Sequence, residues 1–109
     1  MEKDLTISYL NDIYGALLTK RQVEILDLYF TNDCSLGEIA EVLGISRQSV
    51  KDSLTASEKA LRNFEKQLKL FEKKNSITKR VQNVKECIDK GNTKDAYILL
   101  DDVISILEG

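Results

Sequence analysis

The sequence predicts an all-α protein. It contains no proline and only five glycines, so few residues interrupt a helix. Apolar residues recur at intervals of three and four, which is the spacing of one helix face, and no segment alternates as a half-buried strand does. The length of 109 residues and the hydrophobic fraction of 42% are typical of one domain with at most a small appendage.

The N-terminal part predicts two helices. Apolar residues in 5–18 follow helical spacing and indicate the first helix. Thr19 and Gln22 then form a capping-box pattern, in which the two side chains hydrogen-bond to free backbone N–H groups at a helix start. The second helix therefore begins after Thr19, and the polar stretch 31–34 predicts the loop that follows it.

The next segment has the spacing of a helix-turn-helix. Ser35 and Glu38 form a second capping box, which begins a helix of about two turns. Gly44 can adopt the left-handed conformation that ends such a helix, and Ser46 is a good N-cap for the next one. A short helix, a tight turn with glycine and a second helix constitute this motif. The residues of the short helix predicted to face inward are Ile39, Val42 and Leu43.

The second helix of the motif is predicted to be long. The sequence shows no stop signal between Ser46 and Lys74, and the pair Asn75-Ser76 is the first candidate end. Such a helix would span roughly 43 Å at about 1.5 Å per residue. Its apolar positions alternate in steps of four and three, as in a heptad seam, with one polar member. They are Val50, Leu54, Ser57, Leu61, Phe64, Leu68 and Phe71.

The remaining residues predict a helical hairpin, so the expected domains are a helix-turn-helix domain in 1–74 and a C-terminal hairpin in 75–109. Gly91 is the expected C-cap of the first hairpin helix, and Asn92 or Thr93 the N-cap of the last. The first hairpin helix repeats Ile77, Val81, Val84 and Ile88. The residues of the last helix expected to face inward are Ala96, Leu99, Leu100, Val103, Ile104 and Leu107.

Charge is strongly segregated along the chain. The net charge is −2, but residues 1–43 carry −5, residues 44–85 carry +7 and residues 86–109 carry −4. One side of the predicted long helix is basic and lies away from the apolar seam. A basic surface of this kind indicates a nucleic-acid partner, although a solvated helix with internal ion pairs would show the same pattern.

The first turns of the long helix hold the candidate binding residues. In a helix-turn-helix these turns enter the major groove of DNA. Arg47 can form paired hydrogen bonds to guanine, and Gln48 can do so to adenine. Ser46, Ser49 and Lys51 suit contacts to phosphates or bases. Lys20 and Arg21, at the start of the second helix, are further phosphate-binding candidates. The alternative is that these side chains merely lie in solvent at a helix start.

Two resemblances support the DNA-binding interpretation. The elements T-x-R-Q, S-x-x-E-I-A and G-I-S-R-Q-x-V occur in order within residues 17–65, and this stretch resembles region 4 of bacterial sigma factors. That resemblance implies a three-helix core of the homeodomain-like or winged-helix-like type that reads promoter DNA. The whole chain, with K-G-N-x-x-D-A-Y in the hairpin, resembles the YlxM family of small helix-turn-helix proteins. These are typically encoded beside genes of the signal recognition particle, which implies a role in that pathway.

Several function classes are not expected. The chain has no histidine, no glycine-rich phosphate loop and no CxxC pair, so neither catalysis nor a metal or other cofactor is predicted. Cys34 and Cys87 are widely separated, which suits two free thiols in a reducing compartment. No apolar run reaches the length of about 20 residues that crosses a membrane, and the N-terminus lacks signal-peptide features. We expect a cytoplasmic protein without a membrane partner.

Three interpretations of function remain open from the sequence. The first is a sequence-specific DNA-binding regulator that acts as a homodimer, with the rear heptads from Leu54 to Phe71 and the hairpin as its dimer surface. The second is an adapter that binds the RNA or a protein component of the signal recognition particle, with the basic face from Lys59 to Lys73 on the RNA backbone. The third is a sigma-like module that binds only proteins.

Overall fold

The computed structural model describes residues 3–109. They contain six α-helices and no β-strand, which confirms the all-α prediction. A 3₁₀ turn, Gly15–Leu17, follows α1, and a π-helical turn, Asp27–Thr31, extends α2. The helices in chain order are α1 (Leu5–Tyr14), α2 (Lys20–Leu26), α3 (Leu36–Leu43), α4 (Arg47–Leu68), α5 (Leu70–Asp89) and α6 (Thr93–Glu108).

The contacts within the chain divide it into two compact units. The first ends at Lys69, and within it α4 contacts α1, α2 and α3. The second is Leu70–Gly109, in which α5 and α6 pack on each other as an antiparallel hairpin. The helical hairpin expected from the sequence is therefore present, and each unit has its own core.

The first unit is organised around α4. Val50, Ser57 and Leu61 on its inner side are completely buried. They recur at intervals of seven and four residues, so they lie on one face of the helix. Opposing apolar side chains from the other three helices are equally inaccessible, including Ile7 and Ile39. The front of the predicted heptad seam therefore packs within the chain.

Local sequence signals place the helix ends. Both predicted capping boxes are present: Thr19 Oγ1 accepts from Gln22 N at 3.1 Å, and Ser35 Oγ accepts from Glu38 N at 3.1 Å. Gly44 ends α3 with φ of 67°. Only glycine adopts this left-handed conformation without a steric penalty, so the turn between α3 and α4 depends on it.

The predicted end of the long helix at Lys74 is wrong. α4 stops at Leu68, Lys69 takes a left-handed conformation with φ of 54°, and Asn75-Ser76 lies inside α5. A lysine in this conformation costs roughly 1–2 kcal/mol, so no local preference of the sequence explains the break. The physical reason is tertiary, because residues after Leu70 pack against α6 and belong to a separate unit.

Some residues expected to face inward are exposed. Val42, on α3, is 67% exposed. It lies about 100° around the helix from Leu43 and about 60° from Ile39, at the edge of the core-facing side. In α6, Ala96 and Val103 are buried as predicted, but Leu100, Ile104 and Leu107 were wrongly expected to face inward and are exposed. Of the apolar repeat in α5, Val84 is buried, and Val81 and Ile88 are exposed.

Ser57 provides a test of the packing around α4. Its side chain is fully buried, and its Oγ has no hydrogen-bond partner among the described residues. A buried hydroxyl without a partner loses its hydration without compensation. We expect Ser57→Ala to raise the free energy of unfolding by about 1 kcal/mol, measured by urea denaturation. Ser57→Val is the control for size, since added volume at a closely packed site should destabilise. A loss of stability in Ser57→Ala would contradict this interpretation.

Candidate nucleic-acid interface

The motif formed by α3, the Gly44 turn and α4 positions the candidate residues. Val50 is buried, and its neighbours in the sequence, Ser49 and Lys51, are exposed. Each residue of a helix is turned by about 100° from the last, so anchoring Val50 inward presents these neighbours outward. Arg47 and Gln48 are also exposed, on the first turn of the same helix.

Ser46 and Ser49 form the start of α4. Ser46 Oγ accepts from Ser49 N at 3.0 Å, which is the N-cap bond, and the two hydroxyls are 2.9 Å apart and hydrogen-bonded. Ser46 therefore has a structural role that the sequence indicated. The exposed hydroxyl pair lies beside the unpaired N–H groups of the helix start, where the helix dipole favours an anion such as a phosphate.

The guanidinium group of Arg47 lies on α3. A methyl group built on Gly37 would come within 2.7 Å of Arg47 Nη2 and 3.0 Å of Arg47 Cζ. The absence of a side chain at Gly37 thus provides the space in which the arginine rests. Arg47 thus reaches from α4 across to α3, the other helix of the motif.

Gln48 has a partner that the sequence analysis missed. Gln48 Nε2 donates to Asp52 Oδ1 at 2.8 Å, four residues later on the same exposed face. This contact orients the amide, and it leaves the Gln48 oxygen free to accept from the N6 amino group of an adenine. Asp52 adds a negative charge close to Lys51. The i, i+4 spacing of Gln48 and Asp52 was the available signal.

The predicted phosphate-binding residues of α2 lie close to both positive and negative side chains. Lys20 and Arg21 are exposed at the start of the helix, as expected. Lys20 also lines an open cleft of about 830 Å³ together with three carboxylates, from Asp12, Glu24 and Asp27. The acidic surroundings reduce the local attraction for a phosphate at Lys20.

The basic face of the long helix is smaller than the sequence predicted. Lys59, Lys66 and Lys69 are exposed, but Lys73 lies in α5 and in the second unit. Arg62 is occupied by carboxylates: its Nη2 lies 2.8 Å from Asp4 Oδ2 and 3.2 Å from Glu58 Oε1. The expectation of one continuous basic face from Lys59 to Lys73 is therefore wrong, because the helix breaks at Lys69.

The contact of Asp4 with Arg62 also joins α1 to α4. Asp4 is the N-cap of α1, where its carboxylate accepts from Thr6 N at 3.0 Å. This backbone hydrogen bond, and then the Arg62 side chain, lower the pKa of Asp4. The same contact, followed by Glu58, raises the pKa of Arg62. Arg62 therefore has mainly a structural role, and its capacity to bind a phosphate is limited.

The short α3, the left-handed Gly44 and the outward-facing start of α4 define a helix-turn-helix protein. The chain belongs to the UPF0122 family, whose description is "Putative helix-turn-helix protein, YlxM / p13 like" and whose model matches residues 1–100. The resemblance to YlxM proteins noted from the sequence is confirmed.

Individual relatives agree with this assignment. A UPF0122 protein of Caldanaerobacter subterraneus subsp. tengcongensis is 45% identical over 89 residues, covering 81% of this chain and 76% of the relative. A UPF0122 protein of Halalkalibacterium halodurans is 37% identical over 108 residues, or 99% of each chain. Among the described residues, no helix has the length and apolar character needed to cross a membrane.

Gly37→Ala tests the position of Arg47. Replacing a helical glycine with alanine stabilises by roughly 0.5–1 kcal/mol, provided that the added methyl group meets no fixed obstacle. Here the obstacle is the flexible end of Arg47. We expect a gain in thermal stability from Gly37→Ala, and a larger gain when it is added to Arg47→Ala, since the arginine no longer has to move. Equal gains in both backgrounds would show that Arg47 does not rest on Gly37.

The Asp4 contacts predict a dependence of stability on pH. The folded pKa of Asp4 is below its unfolded value of about 3.9, so Asp4 stabilises the fold above that pH. This contribution is lost as the pH falls through the folded pKa. We expect the unfolding free energy of the wild type to fall more steeply below about pH 4 than that of Asp4→Asn, as measured by urea denaturation. Identical slopes would show that Asp4 is equally solvated in both states.

Proposed function

We propose that this protein is a non-enzymatic, sequence-specific DNA-binding regulator of the sigma region 4 type, which acts as a cytoplasmic homodimer on double-stranded DNA. The observation that carries the proposal is the exposed start of α4, where Arg47, Gln48 and Lys51 of its first two turns lie outside a fully packed three-helix support. A rigid helix with groove-reading side chains on its first turn is the arrangement by which helix-turn-helix proteins read DNA.

Each side chain has a distinct part in the proposed complex. Arg47 leaves Gly37 and forms two hydrogen bonds to the O6 and N7 atoms of a guanine. Gln48, already oriented by Asp52, pairs with an adenine edge. Lys51 and the hydroxyls of Ser46 and Ser49 contact phosphates, and Lys20 and Arg21 add phosphate contacts from α2. Phosphate contacts fix the register of the protein, and the two base contacts supply specificity.

We further propose that the regulator serves the signal recognition particle pathway. The support is the resemblance to YlxM proteins, which are typically encoded beside genes of that particle. A second candidate function is an adapter that binds the particle's RNA or a protein component of it. The exposed lysines Lys59, Lys66 and Lys69 favour it, because they could contact an RNA backbone without involving the first turn of α4.

The test is fluorescence anisotropy at physiological salt with three labelled nucleic acids: a promoter-region duplex from the protein's own operon, a scrambled duplex of the same composition, and the signal recognition particle RNA. Preference for the operon duplex supports the DNA-binding regulator. Tight binding of the RNA alone, lost when Lys66 and Lys69 are both replaced by Glu, supports the adapter and overturns the first proposal.

Two substitutions in α4 should have different effects on DNA binding. Arg47→Ala should weaken binding to the preferred duplex by about 1–3 kcal/mol and relax the preference at one base pair, because a bidentate base contact is lost. Lys51→Ala should weaken all duplexes alike and reduce the salt dependence by about one charge. Anisotropy titrations over a range of salt concentrations measure both effects. Wild-type binding by both variants would contradict the assignment of this turn to the groove.

A further inference from the structure

The C-terminal hairpin leaves many of its apolar side chains exposed. In the part of the chain from Leu70 to Gly109, the buried apolar side chains are Val84, Ala96 and Val103, all of them small. A unit of about forty residues with so small a core usually needs additional stabilisation, for example from oligomerisation. The apolar side chains that remain exposed include Val81 at 41%, Ile88 at 60%, Tyr97 at 66%, Leu100 at 39%, Ile104 at 50% and Leu107 at 68%.

These six exposed side chains form one face of the hairpin, which we call the dimer face. On α6 the row that faces α5 contains Ala96 and Val103, and the exposed row contains Tyr97 and Ile104, one residue later in each case. A step of one residue turns the direction of a side chain by about 100°. The exposed row of α6 is therefore a second apolar stripe beside the buried one.

On α5, too, the exposed row lies one residue after the row that packs on α6. Arg80 and Cys87 are half-buried, and the next residues, Val81 and Ile88, are exposed. Because α5 and α6 run in opposite directions, equal steps along each chain turn both rows to the same side of the hairpin. The dimer face is thus a continuous apolar surface that spans both helices. Ile98, which is also exposed, lies about 140° away from it around α6.

We infer that the dimer face packs against the same face of a second copy of this chain, so that two hairpins form a four-helix bundle. This inference deepens the homodimer of the proposed function by naming its interface. The sequence predicted a dimer surface formed by the seam from Leu54 to Phe71 together with the hairpin. The inference keeps the hairpin and omits the seam, because Ser57 and Leu61 of that seam are fully buried within one chain.

The size of the dimer face agrees with a stable interface. Six large side chains, each about half exposed, offer roughly 600 Å² of apolar surface per copy. A standard interface buries about 800 Å² per partner, and homodimer interfaces are about 65% apolar. An exposed apolar patch of this size is uncommon on a monomer and typically marks an association surface.

The charges at the two rims favour one arrangement of the copies. By helical angle, the outer rim of α5 carries Lys74, Lys85 and Asp89, and the outer rim of α6 carries Asp101, Glu108 and Lys94. A two-fold axis parallel to the helices places α5 of one copy over α6 of the other at the same height, so lysines face carboxylates on both sides. The alternative axis, which places α5 over α5, brings lysines together and is disfavoured.

Matched substitutions on α6 test the inference. Ile104→Glu places a carboxylate within the dimer face, whereas Ile98→Glu makes the same change on the same helix outside that face. Sedimentation equilibrium of the full chain, without nucleic acid, should show a wild-type dimer, an unchanged dimer for Ile98→Glu, and a dissociation constant raised at least about a hundredfold for Ile104→Glu. A monomeric wild type, or an Ile104→Glu dimer as tight as the wild type, would overturn the inference.

Exchanging the charges of two rim residues provides a second test, which still applies if Ile104→Glu loses helical structure. Lys85→Glu alone should weaken the dimer several-fold, and adding Asp101→Lys should restore it, because the exchanged pair again has opposite charges. The absence of rescue would exclude the arrangement of α5 over α6. Since no DNA is present, these results are independent of the DNA-binding part of the proposed function: a confirmed dimer that fails to bind DNA would contradict only that part.

Discussion

The structure of the first unit depends on the packing of one side of α4. Val50, Ser57 and Leu61 are closed off from solvent by three other helices, and the first turn of the same helix carries the candidate binding side chains. The position of Arg47, Gln48 and Lys51 therefore follows from how α4 is held in the core. A change in the core that rotated α4 by a fraction of a turn would redirect all three side chains together. Stability of the unit and geometry of the site are coupled for this reason.

Polar contacts from the N-terminal part of the chain reinforce that packing. The hydroxyl of buried Tyr14 donates to Glu65 Oε1 at 2.7 Å, near the end of α4. Lys3 donates to the backbone oxygen of Tyr29 at 2.6 Å, and its ammonium lies 4.0 Å from the centre of the Tyr29 ring. These contacts use charged groups for structure. Arg62 is engaged in the same way. Fewer cations of the first unit are therefore available to bind a nucleic acid than their number in the sequence suggests.

Features determined by neighbouring residues could be predicted from the sequence, and features determined by distant contacts could not. The capping residues Thr19 and Ser35, and the left-handed Gly44, act within a few residues of their own positions. The break at Lys69 has no local signal, because lysine disfavours the conformation it adopts there. The site shows the same division: exposure of Arg47 followed from helical spacing, while its position on Gly37 required the packing of α3 on α4.

The separation into two units has a consequence for DNA binding. A single helix-turn-helix makes a small interface, and this chain has a net charge of −2, so non-specific attraction to DNA is weak. Helix-turn-helix proteins commonly gain affinity by binding two half-sites as dimers, and the proposed function follows this pattern. In the first unit the inner side of α4 is already buried, and the outer side of its first turns carries the residues proposed to read DNA. The exposed apolar residues of the hairpin, such as Ile88 and Ile104, belong to the second unit and take no part in the helix-turn-helix.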